Sequence, residues 1–102
     1  MKKIFLALIA TVALVVAKQS DFNENELQSK CDNNDASACA NLGSAYYFGE
    51  NIKQDYKKAS ELYSKACDLE IAEGCYNLGV LHYLGEGIKQ NIEKARNLLS
   101  RA

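Results

Sequence analysis

The sequence predicts an all-α protein, an α/α superhelical solenoid of two 36-residue helix-turn-helix repeats. Three observations carry this expectation. Beyond position 17 the chain holds one valine, Val80, four isoleucines and no threonine. That is too little β-branched chemistry to furnish the half-buried faces of a sheet. Proline, which interrupts helices, is absent from all 102 residues. Finally, residues 31–66 align without a gap on residues 67–102, with 18 identities in 36 positions. A period of 20–50 residues is the mark of stacked supersecondary units.

Taken in chain order, the first element is a leader. Residues 1–17 read as an export signal. Lys2 and Lys3 give a positive start, Ile4 to Val16 a 13-residue apolar run, and Val15-Val16-Ala17 small residues suited to cleavage. A membrane span would need about 18 or more apolar residues, and Lys18, Asp21 and Glu24 interrupt the run too early. No cysteine follows it directly, so lipid attachment is not expected. The expectation is a secreted or periplasmic protein with no stable membrane insertion after cleavage. The whole chain carries net charge −1 at pH 7, and −3 once Lys2 and Lys3 are set aside. This balance lacks the basic footprint of nucleic-acid binding.

Residues 18–30 read as a thin N-terminal capping segment, in which Asn23–Lys30 covers the start of the first unit. Unit 31–66 then reads as two helices. Ala38 to Phe48 carries apolar residues at 39, 42, 45 and 46, a helical spacing, and Gly49 ends the run. Asp55 is placed to cap the second helix, whose buried stripe is Ala59, Leu62, Tyr63 and Ala66. Unit 67–102 repeats the pattern with Cys75, Leu78, Leu81 and His82, a break at Gly85-Glu86-Gly87, an Asn91 cap, and Ala95, Leu98, Leu99 and Ala102. Gly43 and Gly79 weaken their helices and are expected where paired helices approach closely.

These residues resemble a known family. Leu42-Gly43-x-x-Tyr46-x-x-Gly49, Lys58-Ala59 and Tyr63-x-x-Ala66-Cys67 look like the Sel1-like repeat, a relative of the tetratricopeptide repeat. The Cys-x7-Cys pairs narrow the resemblance to the secreted cysteine-rich branch, the Hcp β-lactamase family. It covers residues 31–102, with two departures: His82 stands where the pattern has tyrosine, and Asn51 where the second copy has Gly87.

All four cysteines, Cys31, Cys39, Cys67 and Cys75, lie after the leader, and an even count in an exported chain reads as disulfides. Three pairings are open, and local pairing within each Cys-x7-Cys is favoured. Eight residues of continuous helix would separate the two positions of a pair by about 12 Å, whereas a disulfide needs Cα atoms within roughly 7 Å. The chain must therefore turn between them, and Asp32-Asn33-Asn34-Asp35 is suitable turn material. The repeats would then be disulfide-stapled. A four-cysteine zinc site is the rival reading, but its ligands usually come in pairs two to four residues apart.

The resemblance also implies penicillin binding or weak β-lactamase activity, hydrolysis of the β-lactam amide. The chemistry for it is not legible. A serine route needs an activated hydroxyl, a base and an oxyanion hole, and the usual enzymes place lysine three residues after the nucleophile. None of Ser20, Ser29, Ser37, Ser44, Ser60, Ser64 and Ser100 has one. His82, the only histidine, provides no metal cluster and is expected to pack between helices like Tyr46. No cofactor or metal is expected. Glu50, Glu86, Lys53 and Lys89 read as turn or solvated residues.

The function expected is binding of a protein or peptide on the concave face lined by the first helix of each unit. By analogy with tetratricopeptide repeats, the candidates are Ala40, Ser44 and Tyr47 in the first unit and Tyr76, Val80 and Tyr83 in the second. Tyrosine offers apolar area with a polar tip. Ala102 matches Ala66, after which the first unit continues Cys67-Asp68. Ile92, Leu98 and Leu99 are therefore expected to lack a packing partner, and either a third repeat or self-association would cover them.

Overall fold

Each helix of the computed structural model, which describes residues 22–102, packs on the one before it. The leader predicted at 1–17 lies outside the described residues. In order the helices are α1 (Glu24–Asp32), α2 (Ala36–Phe48), α3 (Tyr56–Asp68), α4 (Ala72–Leu84) and α5 (Ile92–Arg101). The fold is all-helical, and α2–α3 and α4–α5 are the two repeated hairpins. None of these helices is long and apolar enough to cross a membrane.

Short polar side chains set the helix starts. The first backbone N–H groups of a helix have no partner within it, and an Asx side chain supplies one. Asn23 accepts from Glu26 N at 3.0 Å, Asp35 from Ala38 N at 3.1 Å, Asp55 from Lys58 N at 3.0 Å and Asn91 from Lys94 N at 2.9 Å. Helix α4 is the exception, because Ile71 occupies its cap position and makes no side-chain cap. Ile71 packs against the core instead. The apolar stop signals work as a matched pair: Gly49 and Gly85 both adopt φ +72°. Behind them Gln54 and Gln90 donate through Nε2 to the carbonyls of Tyr47 and Tyr83, each at 2.8 Å. The shared Gly-Glu and Ile-Lys-Gln segments thus build the same turn twice.

The core follows the predicted stripe in the first hairpin. In the second, His82 is only partly buried and Leu99 and Ala102 are exposed, because no described element packs over that side. Cys39, Leu42, Ala45 and Tyr46 of α2 are buried, as are Ala59, Leu62, Tyr63 and Ala66 of α3. In the second hairpin Cys75, Leu78, Leu81, Ala95 and Leu98 are buried. The expectation that Leu98 lacks a partner is therefore wrong, since α4 covers it. Leu99 and Ile92 do remain exposed, at 38% and 44%. Gly43 admits close approach, because a Cβ there would stand 2.9 Å from the Tyr63 ring. Gly79 does the same against Leu99 Cγ, at 3.0 Å.

Two disulfides staple consecutive elements: Cys31–Cys39 ties α1 to the first hairpin with Cα atoms 4.7 Å apart, and Cys67–Cys75 ties the two hairpins together at 4.5 Å. All four cysteines are buried. Each bridge spans a tight turn whose sharpest residue, Asn34 or Glu70, has positive φ (67° and 66°). A short loop of this kind contributes roughly 2–3 kcal/mol on a chain-entropy account.

The contact between repeats explains one departure noted in the sequence. A Cβ on Gly87 would lie 2.3 Å from Tyr56 Cβ and 2.9 Å from its carbonyl carbon. The loop after α4 therefore presses directly on the start of α3, where only hydrogen fits. Asn51, at the matching place, shares the positive φ (61°) but is exposed.

Candidate functional site

A groove of about 370 Å³ runs between α2 and α4, with α3 as its floor. Its α2 wall carries Ser44, Tyr47 and Phe48, at i, i+3 and i+4. Its α4 wall carries Glu73, Tyr76, Asn77 and Val80, at i, i+3, i+4 and i+7. Both are single helical faces, turned toward each other because α3 packs against α2 on one side and α4 on the other.

The floor is fixed by Tyr63, 2% exposed, whose hydroxyl lies 2.9 Å from Ser44 Oγ. Burial raises its phenol pKa above the ordinary value. The Ser44 hydrogen bond opposes that rise and the Glu73 carboxylate adds to it. Tyr63 is thus a neutral phenol held in place. Tyr47 is half-buried and donates to Glu86 Oε1 at 3.1 Å, which ties the first repeat to the loop of the second. Burial raises the Tyr47 pKa, and Glu86 raises it further. Its ring meets Phe48 edge-on at 4.9 Å and Tyr56 at 5.2 Å. Phe48 and Tyr76 leave much of their ring surface open, at 64% and 54% exposure.

Of the six residues proposed from sequence as partner contacts, the groove brings together Ser44, Tyr47, Tyr76 and Val80. Ala40 is a correction: it is 0% exposed and belongs to the core, so it has no surface to offer. Its place on α2 faces the neighbouring helices because the first hairpin is covered on both sides. Tyr83 is exposed but lies beyond the groove lining. The sequence reading missed Phe48, Tyr63, Glu73 and Asn77. The available signal was the i, i+3, i+4 and i+7 spacing of Glu73, Tyr76, Asn77 and Val80, one helical face. Tyr63 carries none, because it falls on the buried stripe of α3 and only its hydroxyl reaches the groove. Glu86, read as a turn residue, is a positioning residue for Tyr47.

A second cavity, about 350 Å³, lies between α3, α4 and α5 and contains Ser60, Ser64, His82 and Lys94. It gathers two hydroxyls, an imidazole and an amine without connecting them as a nucleophile and base. Ser60 Oγ donates to the Lys57 carbonyl at 2.7 Å, and the buried Nδ1 of His82 has no hydrogen-bond partner. Burial, and secondarily Lys94, hold the His82 pKa below its ordinary value.

Comparison with known proteins agrees with the geometry. The Sel1 repeat family model matches residues 36–70 and 72–102. The structure of cysteine-rich protein B (HcpB) of Helicobacter pylori is similar at 33% identity and TM-score 0.74, covering 86% of this chain and 69% of that one. A Sel1 repeat protein from Oxalobacter formigenes shares the fold at 22% identity and TM-score 0.75, over 91% of this chain and 38% of its own. No curated protein matches the sequence.

Proposed function

Since the chain belongs to the Sel1-repeat family, in its cysteine-rich branch, we propose that it binds a protein or peptide segment in the groove between α2 and α4. Sel1 repeats are protein-interaction modules, and superhelical stacks of helix pairs present extended binding surfaces of this kind. The observation that carries the reading is the groove itself. It is an open cleft with exposed aromatic walls and a few fixed polar groups, at the lower end of the roughly 300–1,000 Å³ typical of ligand sites. Rigid aromatic rings give contact area at small entropic cost. The two disulfides suit an oxidising compartment outside the cytoplasm, and the partner is therefore an exported protein.

Site-specific photocrosslinking tests this. A benzophenone amino acid at position 76 is expected to capture a discrete partner from the exported fraction, and the same group at exposed Lys57 is not. Val80→Glu, which places charge inside the groove, should abolish the adduct from position 76. Equal adducts from both positions, or an adduct insensitive to Val80→Glu, would rule out the groove as the binding surface.

A further inference from the structure

The groove has an uneven chemistry that narrows its occupant. Its lining contains four aromatic rings, from Tyr47, Phe48, Tyr63 and Tyr76, and one charged group, the Glu73 carboxylate. No lysine or arginine lines it. The polar groups nearest the rings are already committed. Ser44 and Tyr63 bond each other, and the Tyr47 hydroxyl is held by Glu86, a second carboxylate at the groove's edge. What remains open is the faces of Tyr76 and Phe48, the side-chain amide of Asn77 and the carboxylate of Glu73. Among the described residues no lysine or arginine forms an ion pair with Glu73.

Resting on the peptide-binding reading above, we infer that the groove recognises a cationic side chain, arginine or lysine, projecting from the bound segment. The negative faces of aromatic rings attract a cation within about 6 Å, most strongly where water is displaced. A carboxylate beside those rings adds a charge-assisted hydrogen bond, bidentate with arginine. The same arrangement disfavours an acidic segment, which would meet Glu73 and Glu86 without a compensating base. Tyr76 and Phe48 supply the ring faces, and Glu73 supplies the charge. The fixed Tyr63 closes the floor, so the aliphatic stem of the side chain lies along Val80 while its head reaches the carboxylate.

The test is selection of the oxidised full chain against a displayed library of random dodecapeptides, with Tyr76→Ala and Glu73→Gln variants selected in parallel. Wild-type binders are expected to be enriched in arginine and lysine at one position by about fivefold over the library frequency. Glu73→Gln should lower that enrichment while still selecting binders, and Tyr76→Ala should abolish both. Peptides enriched over the Tyr76→Ala background without basic residues, or with acidic ones, would overturn the cation preference and leave peptide binding standing. No enrichment over that background would overturn both readings. A basic bias unchanged by Glu73→Gln would overturn the role given to that carboxylate.

Discussion

Tyr46 and His82 occupy the same position in the two repeats and meet different surroundings. Tyr46 is covered on every side: its hydroxyl donates to Glu24 at 2.6 Å, and Lys58 Nζ sits 5.0 Å above its ring. His82 borders a cavity with a buried nitrogen unpartnered. The contrast recurs along the register. Tyr63 is 2% exposed and its counterpart Leu99 is 38% exposed. Tyr47 is clamped by Glu86, whereas its counterpart Tyr83 stands 55% exposed. Equivalent residues acquire burial from the adjacent hairpin, and only the first repeat has a described neighbour on both sides. In a stacked array the interface between units supplies stability that no unit holds alone.

The disulfides offer the largest test of that contrast. Cys31–Cys39 and Cys67–Cys75 close loops of equal length, so each is worth roughly 2–3 kcal/mol by loop entropy. They differ in what they join. Cys67→Ala with Cys75→Ala separates the two hairpins and should lower the thermal midpoint of the whole transition, followed by circular dichroism. Cys31→Ala with Cys39→Ala releases only α1 and should leave a cooperative transition for the rest. Equal losses would mean that α1 is as integral to the stack as the second repeat.

Gly87 and Asn51 give a smaller and sharper comparison. Both have positive φ, which costs an ordinary L-residue about 1–2 kcal/mol. Gly87→Ala additionally drives a methyl into the backbone of Tyr56, an overpacking cost of about 1–3 kcal/mol. Asn51→Ala meets the conformational cost alone. Urea unfolding should therefore separate the variants by about 1–3 kcal/mol. Similar midpoints would show that the contact between repeats yields without strain.

How much of this was legible depended on the distance over which each feature is decided. Caps at Asp55 and Asn91, the αL glycines and the buried stripes are set by neighbours within one turn, and a 36-residue repeat prints them twice. Of the three disulfide pairings that the sequence leaves open, the favoured local one is observed. Features decided between distant elements are not legible: Tyr47 reaches Glu86 of the second repeat across 39 positions, and Tyr46 reaches Glu24 of the N-terminal segment across 22. Glu86 is shared with Glu50, so its sequence suggested a turn function common to both. Ala40 was misplaced for a related reason, because a helical wheel cannot say which face the next hairpin will cover.

The His82 cavity allows the register itself to be tested. Moving the partners of Tyr46 forward by one 36-residue period turns Glu24 into Ser60 and Lys58 into Lys94, and both line that cavity. A tyrosine at 82 would thus find an acceptor and a cation where Tyr46 finds them, and fill space the imidazole leaves open. Ser60 already donates to Lys57, yet its oxygen can still accept from a phenol. A hydroxyl is a weaker acceptor than the Glu24 carboxylate, so His82→Tyr should stabilise by only about 1 kcal/mol, as cavity filling commonly does. That corresponds to a thermal midpoint higher by roughly 4–8 °C for a domain of this size. The pH dependence supplies an independent check. The folded His82 pKa lies below its ordinary 6.5, so between the two values the unfolded chain binds more protons. This contribution to wild-type stability is complete above about pH 6.5 and is lost as pH falls toward the folded pKa. The advantage of His82→Tyr should therefore widen on going from pH 7 to pH 5. A constant difference would mean that burial does not hold the imidazole neutral, and a destabilised variant would mean that the second repeat has closed around histidine in a shape of its own.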